Sequence, residues 1–353
     1  MNLYDLGHVP WLDSQLIYHA LPRLQMEGLV LLAPAEPYVC IGYHQDAAQE
    51  VDLVYCRERG IPVFRREVGG GAVFLDGQQL FYQLVIHRDN PLATGDKGEF
   101  SRRFLAPVVQ TYRDLGVEAH YKAVNDIVTV QGRKISGNGA GEIEDYLILV
   151  GNLIADFDYE TMVRVLRVPD AKFRDKVFKS LRENLTTLHR ELGSVPPWET
   201  MTSVLIRNFK VALGTLEARS LPPAVGEMVE QLATTHTTDE WLLKAGRRAG
   251  EGRRVRIATG VEVSQRMHKA PGGLIRATVE SREGQIVGVG LSGDFFFYPS
   301  GALAELEEYL TGVELGEVAG AIEAFYAQKG IEAPGVTPHD LALAMGVETP
   351  EGG

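Results

Sequence analysis

Three consecutive glycines, Gly69 to Gly71, constrain the fold of this chain more than any other feature of its sequence. Arg65 and Arg66 precede them, and an apolar run over residues 72–75 follows at once. Glycines let a bound group approach the main chain and leave backbone N–H groups available to an anion. The run after the glycines has strand character, and neither the dinucleotide fingerprint nor the P-loop motif occurs here. The stretch predicts an anion-binding turn flanked by arginines, with a plain glycine-rich hairpin and solvated arginines as the alternative.

A second motif follows further along the chain and carries a lysine. Residues 124–130 have the β-branched composition of a strand around the pair Asn125-Asp126. Gly132 lies in a predicted turn, and Lys134 begins a return strand that runs into a small-residue loop. Lys134 is therefore either partly desolvated and directed at a phosphate or a carbonyl, or a solvated lysine at the end of a strand.

Together, and in this order, the two motifs resemble the lipoate–protein ligase family. The family pattern is R-R-x-x-G-G-G-A-V-x-x-D, then N-D, then a lysine in K-I-S-G, and this chain carries each element. Residues 37–45 are similar to an early strand of the family, and residues 273–296 are similar to its C-terminal accessory domain. The resemblance covers most of the chain and implies a mixed-sheet, biotin/lipoate ligase-like catalytic domain with a smaller α+β accessory domain.

The order of apolar patterns also predicts an α+β architecture with a mixed sheet. Helices are predicted over residues 14–24 with Ser14 as cap, 52–59, 104–115, 200–212 and 223–233, and from Ser300 and Thr337 onward. Strands are predicted over residues 29–32, 38–41, 80–86, 128–130, 147–155, 255–258, 274–279 and 286–290. Pro107 indicates a bend or a late start of its helix. Residues 246–254 are composed like a linker, which divides a catalytic domain, 1–245, from an accessory domain, 246–353.

Bulk composition excludes several classes of protein. The length of 353 residues suffices for two domains with proper cores, and the net charge of −12 argues against a nucleic-acid or membrane-surface partner. Two cysteines, Cys40 and Cys56, predict no disulfide framework. We find no apolar leader and no apolar run of membrane-spanning length, which predicts a cytoplasmic protein. Residues 163–192 are locally basic and form either a solvated helical face or a surface for an acidic partner.

The resemblance implies an ATP-dependent ligase that activates lipoate or octanoate as an acyl-adenylate and transfers it to a lysine of a lipoyl-carrier domain. It assigns Lys134 to the α-phosphate and the acyl carboxylate, and Arg66 to a carboxylate or phosphate. Asn125 and Asp126 then hold adenine and Mg²⁺. The remaining nucleotide-binding residues implied by the resemblance are Gly69, Gly70, Gly71, Ala72, Val73, Phe74, Ser136 and Gly137.

Two alternatives remain open. Octanoyl transferases share the fold and the lysine but resemble a thioester relay through a cysteine downstream of it, and no cysteine follows Cys56. An inactive lipoate- or carrier-binding relative is the other alternative, although such a protein has no reason to keep both motifs intact. The chain also departs from the family at Leu75, where histidine is usual, and at residues 150–153, where His-Gly-Thr-Leu is usual. These departures indicate a divergent branch.

Overall fold

The computed structural model of the protein describes residues 1–168, 170–245 and 261–347. Its first part contains the strands β1 (Asn2–Val9), β2 (Gly28–Pro34), β3 (Tyr38–Ile41), β4 (Val63–Arg65), β5 (Val73–Leu75), β6 (Gln79–His87), β7 (Ala119–Lys122), β8 (Asp126–Thr129), β9 (Lys134–Ser136), β10 (Asn138–Ile143), β11 (Tyr146–Ile154) and β12 (Glu217–Ala218). The helices of this part are α1 (Asp13–Arg23), α2 (Ala47–Glu50), α3 (Leu53–Glu58), α4 (Lys97–Asp114), α5 (Tyr159–Val165), α6 (Ala171–Asn184), α7 (Leu188–Leu192), α8 (Trp198–Leu213), α9 (Pro223–His236) and α10 (Asp239–Leu242).

The C-terminal part is a sheet covered by helices. It contains β13 (Val261–Ala270), β14 (Gly273–Arg282), β15 (Gln285–Gly293), α11 (Ala302–Leu310), a 3-10 turn (Leu315–Glu317), α12 (Val318–Lys329) and α13 (Pro338–Met345). The predicted linker over residues 246–254 and the predicted strand over 255–258 lie outside the described residues.

A mixed six-stranded sheet forms the centre of the first part, in the order β10-β11-β6-β2-β1-β12. β1 pairs in parallel with β2 and β12, whereas the β2-β6-β11-β10 side is antiparallel. Every residue of β2 is buried, since α4 and α8 pack on one face of the sheet and α1 and α9 on the other. The predicted α+β class with a mixed sheet is confirmed.

Two small sheets bring the sequence motifs to one side of this core. In the first, β4 and β5 lie on opposite sides of β3, parallel and antiparallel to it respectively. The glycines therefore connect two strands that are not neighbours, so the hairpin alternative is wrong. In the second, β8 pairs with β7 and β9, which places Lys134 at the first residue of β9.

The predicted small-residue loop after Lys134 is also wrong, because residues 138–143 form β10 at the edge of the central sheet. Its glycines allow a close approach of the Val68 side chain. A Cβ at Gly141 would lie 2.5 Å from Val68 Cγ1. Packing and pairing with β11 thus stabilise a strand that glycine disfavours by propensity.

Several helix boundaries differ from the predicted ones. α1 begins at Asp13, and Ser14 does not cap it but donates a hydrogen bond to the carbonyl of Trp11 at 2.6 Å. α4 begins at Lys97 and continues past Pro107, so a late start is excluded. Thr337 caps α13 as predicted, in a capping box with Asp340. α11 begins two residues after Ser300, at Ala302.

The C-terminal part has its own core and docks on the first part. β14 alternates buried and half-buried residues, and its inner face packs with α11 to α13. At the contact, Gly293 N donates to the carbonyl of His44 at 3.0 Å, and the His44 ring stacks on Phe295 with centroids 5.5 Å apart. Arg276 pairs with Glu50 at 3.1 Å. Among the described helices, none is both long and apolar enough to cross a bilayer.

Candidate active site

A cavity of about 330 Å³ lies where the glycine turn, the β8–β9 pair, the β10–β11 pair and the C-terminal part meet. Most of the predicted site residues line it: Arg66, Gly70, Gly71, Ala72, Val73, Asn125, Asp126, Lys134 and Gly137. Residues that are far apart in sequence are thus brought together as the two motifs predicted.

Three predicted residues do not line the cavity. Gly69 packs against the C-terminal part, since a Cβ there would lie 2.8 Å from the Phe296 ring. Phe74 is buried in the cluster behind β3, and Ser136 donates to the carbonyl of Asn152 at 2.6 Å. These residues lie outside the cavity lining, and their assignment to the nucleotide stays a prediction.

Lys134 forms an ion pair with Asp126 across the β8–β9 pair. Lys134 Nζ lies 2.6 Å from Asp126 Oδ1, and the side chains of Lys134 and Asp126 are 39% and 33% exposed to solvent. The backbone carbonyl of Lys134 accepts from Thr186 N at 2.8 Å, which fixes the strand on its other side. The carboxylate therefore holds the ammonium group at the cavity wall, and the assignment of Asp126 to Mg²⁺ stays a prediction.

Arg66 shapes the glycine turn. Its Nη2 donates to the carbonyls of Gly69 at 2.8 Å and Gly71 at 3.0 Å, and its Nε donates to Gly69 at 3.2 Å. Gly70 has φ +97°, in the left-handed region, and a Cβ there would lie 2.9 Å from Arg66 Nη2. Much of the guanidinium is thus engaged by the turn itself, and its assignment to a carboxylate or phosphate stays a prediction.

Arg65 does not lie at the mouth of the turn, which corrects the prediction for it. The side chain is fully buried and donates to the carbonyls of Tyr43 at 2.7 Å and Leu242 at 2.6 Å. Burial lowers the pKa of the Arg65 guanidinium to about 10. Trp241 Nε1 donates back to the carbonyl of Arg65 at 2.8 Å. Arg65 therefore holds α10 against β4.

The β9–β10 junction after Lys134 is held by amide side chains. Asn138 Nδ2 donates to the carbonyl of Asn125 at 2.8 Å, and Asn125 Nδ2 donates back to the carbonyl of Asn138. Gly137 N donates to Asn152 Oδ1 at 2.8 Å, and Asn152 Nδ2 donates to Gln79 at 2.7 Å. Asn152, one of the departures from the family pattern, thus supports the β9–β10 junction next to Lys134.

The cavity also has apolar lining that the sequence motifs did not indicate. Its lining includes Tyr18, Leu75, Phe81 and Val150, together with Cys40. These residues belong to α1, β5, β6, β11 and β3, where their spacing is that of ordinary core residues. Leu75, a second departure from the family pattern, contributes an apolar side chain here.

The C-terminal part also contributes to the cavity. Lys269, Pro271, Gly272 and Gly273 lie at the β13–β14 turn, and Asp294 follows β15. Gly71 faces Asp294, whose Cβ would lie 3.6 Å from a Cβ added at Gly71. The Pro-Gly-Gly turn was visible in the sequence, but nothing there placed it against the first part.

A buried polar network supports the turn from the other side. Glu67 pairs with Arg23 at 2.9 Å and with His236 at 2.7 Å. Although burial opposes it, the interactions with His19, His236 and Arg23 lower the pKa of the Glu67 carboxyl to about 2. Burial lowers the pKa of His19 to about 3. The network ties α1 and α9 to the residues that precede the glycines.

Comparison with known proteins identifies the family. The model of the lipoyl protein ligase A/B catalytic domain matches residues 12–210, more than half of the chain, including both motifs. The chain belongs to this family. Lipoate-protein ligase LplJ of Bacillus subtilis is 30% identical over 78% of each chain. Octanoyltransferase LipM of Kyrpidia tusciae is 28% identical over 58% of this chain and 82% of that protein.

The fold extends beyond the region matched by the lipoyl protein ligase family model. LipL1 of P. falciparum, solved in complex with lipoate, superposes with a TM-score of 0.69 over 98% of each chain, at 14% identity. This likeness concerns the fold alone. The superposition includes the C-terminal part of the chain.

Proposed function

We propose that this protein is an ATP-dependent lipoate–protein ligase, which activates lipoate or octanoate as the acyl-adenylate and transfers the acyl group to a lysine of a lipoyl-carrier domain. The observation that carries the proposal is one cavity lined by two kinds of group. A lysine–aspartate pair and a glycine turn line it together with the apolar side chains of Leu75, Phe81 and Val150. A substrate with a carboxylate head and an apolar tail matches this arrangement.

The first step joins two anions, so it requires positive charge and amide donors more than a general acid or base. A carboxylate oxygen of the acyl substrate attacks the α-phosphorus of ATP. A new O–P bond forms, and the bond to the β-phosphate oxygen breaks to release pyrophosphate. We assign to Lys134 the stabilisation of charge on the α-phosphate and the carboxylate, because its ammonium group can follow both on a flexible stem.

In the second step the neutral ε-amine of the carrier lysine attacks the acyl carbon of the adenylate. A C–N bond forms, the C–O bond to AMP breaks, and the nitrogen loses a proton. We assign the developing oxyanion to Lys134 as well. The apolar lining of the cavity, with Leu75 and Phe81, would hold the acyl chain during both steps.

The donor set of the cavity fits Mg²⁺ bound together with phosphates. Magnesium takes one or two carboxylates from a protein and completes its shell with water and phosphate oxygens. Asp126 contacts Lys134 through Oδ1, and Asp294 is the second carboxylate among the described lining residues. We assign Asp126 to the ion, which would neutralise phosphate charge when bound with ATP.

The similarity to LipM makes octanoyl transfer through a thioester the second candidate. Cys40 lines the cavity, but burial raises the pKa of its thiol, which leaves little of the nucleophilic thiolate. Cys56 lies away from the cavity, and burial raises the pKa of its thiol to about 11. The thiols of this chain therefore favour the ligase over the transferase.

The proposal is tested by incubating the protein with lipoate, ATP and Mg²⁺ and measuring pyrophosphate release. A parallel reaction contains an octanoyl-carrier protein and apo lipoyl domain without ATP. The matched variants are Lys134→Ala and Lys122→Ala, the latter removing an exposed lysine of the neighbouring strand β7. Lipoate-dependent pyrophosphate that requires Lys134 and tolerates loss of Lys122 supports the ligase. Acyl transfer without ATP would instead establish the transferase.

A further inference from the structure

Among the described residues, three cationic side chains line the cavity: Arg66, Lys134 and Lys269. Two of them have partners within the protein. Arg66 donates to carbonyls of the glycine turn, and Lys134 pairs with Asp126. The side chain of Lys269 forms no ion pair or hydrogen bond with the part of the chain that the structure describes. Among these three cations it is therefore the one whose side chain has no polar partner in the described residues.

The backbone that carries Lys269 is firmly held. Lys269 pairs with Leu274 across the β13–β14 turn, and Ala270 next to it is buried. Gly272 N donates to the carbonyl of Gly335 at 2.6 Å, and Leu274 N donates to Asp294 Oδ1. A flexible side chain is thus attached to a fixed turn at the cavity wall.

Lys269 is exposed even though it lines the cavity, which places it at the open edge. It also comes from a different part of the chain than Lys134. With the α-phosphate near Lys134, the β- and γ-phosphates would extend toward solvent, the direction in which pyrophosphate leaves. The open edge is therefore where the greatest negative charge of ATP would lie.

We propose that Lys269 binds the β- and γ-phosphates of ATP and so makes the C-terminal part a component of the adenylation site. The proposal rests on the ligase function proposed above. Lys269 compensates the charge of the departing pyrophosphate and makes no contribution to the second step, in which only the AMP moiety remains. An acidic group of the carrier domain would be the competing occupant.

Equilibrium binding separates these cases. Isothermal titration with α,β-methylene ATP and with AMP is performed on the wild type, Lys269→Ala, Lys269→Arg and Arg282→Ala. Arg282 is an exposed cation at the opposite end of the ten-residue strand β14, about 30 Å away. We expect Lys269→Ala to weaken binding of the ATP analogue about 10- to 100-fold, since the contact is charge-assisted. Binding of AMP should stay unchanged, Lys269→Arg should retain most of the affinity, and Arg282→Ala should match the wild type.

Kinetic measurements on the same variants test the proposal independently of binding. Lys269→Ala should raise the KM for ATP in pyrophosphate release and leave transfer from synthetic lipoyl-adenylate to apo lipoyl domain unchanged. Unaltered binding of the ATP analogue, or an equal loss of ATP analogue and AMP, would overturn the proposal. A defect confined to transfer would assign Lys269 to the carrier and also overturn it. If the wild type itself releases no pyrophosphate, the ligase function fails, which is a distinct result.

Discussion

The free energy of unfolding of this protein should fall as the pH is lowered from neutral, and the protonation of His44 in the unfolded chain should cause a measurable part of that decrease. His44 lies at the contact with the C-terminal part, stacked on Phe295. Burial first, and then the positive charges of Lys244 and Arg65, lower the pKa of His44 to about 3. Between that value and the ordinary pKa of about 6.5, the unfolded chain binds a proton that the folded chain does not. The free energy of unfolding therefore decreases as the pH falls through this window.

The magnitude follows from the two pKa values. Between about pH 7.5 and pH 5.5 a single such histidine costs about 1.4 kcal/mol of stability. His19, whose pKa burial likewise lowers to about 3, costs a similar amount. The pKa of the Glu67 carboxyl is lowered from 4.5 to about 2. Its contribution to the free energy of unfolding is therefore lost only at a pH below the interval from about 7.5 to 5.5.

The perturbation is His44→Phe, which keeps an aromatic ring against Phe295 and removes the titrating group. Urea denaturation of the wild type and the variant is measured across this pH range. The variant should lose about 1.4 kcal/mol less than the wild type over two pH units. His120→Gln, at an exposed histidine of β7, is the control and should retain the wild-type profile. Parallel profiles of the wild type and His44→Phe would refute the reasoning.

Lys134→Ala should lower lipoate-dependent pyrophosphate release about 10²- to 10³-fold with an unchanged urea midpoint, and near wild-type release would contradict its role. Replacing Cys40 and Cys56 by Ala should keep turnover within about tenfold, since only packing is lost. An acyl adduct on either sulfur in the mass spectrum of the denatured protein would favour the thioester route. Deleting residues 246–353 should abolish adenylation of free lipoate and spare transfer from synthetic lipoyl-adenylate, and full-rate adenylation by the truncated protein would exclude an accessory role. Crystal structures with and without lipoyl-adenylate should differ by a rotation of the C-terminal part.

The positions of the glycines and of Lys134 could be predicted because each motif reflects a local requirement of backbone or charge. The fate of the two arginines could not. Adjacent side chains along an extended chain point in opposite directions, so Arg65 and Arg66 were unable to face the same cavity. Which of them turned inward depended on the carbonyls of Tyr43 and Leu242, which only the folded chain brings near Arg65.

The contribution of the C-terminal part to the site could not be predicted from the sequence for a similar reason. The strands predicted over residues 274–279 and 286–290 followed from composition, and the capped helix α13 followed from Thr337; these were confirmed. The contact of Asp294 and Phe296 with the glycine turn depends on docking between the two parts, which no local pattern encodes. The same holds for the apolar lining of the cavity, whose residues have ordinary core spacing in α1 and β6.

The hydrogen bonds of Arg65 to α10 provide a physical criterion for an autonomous catalytic unit. A protein shortened after residue 245 keeps the carbonyls of Trp241 and Leu242 that accept from this buried guanidinium. A protein shortened before Trp241 retains the buried cation and loses those acceptors, which costs about 1–3 kcal/mol or more for a charged donor. We therefore expect the smallest stable unit of the first part to extend beyond residue 210, where the family match ends, and to include the acceptors of Arg65 in α10.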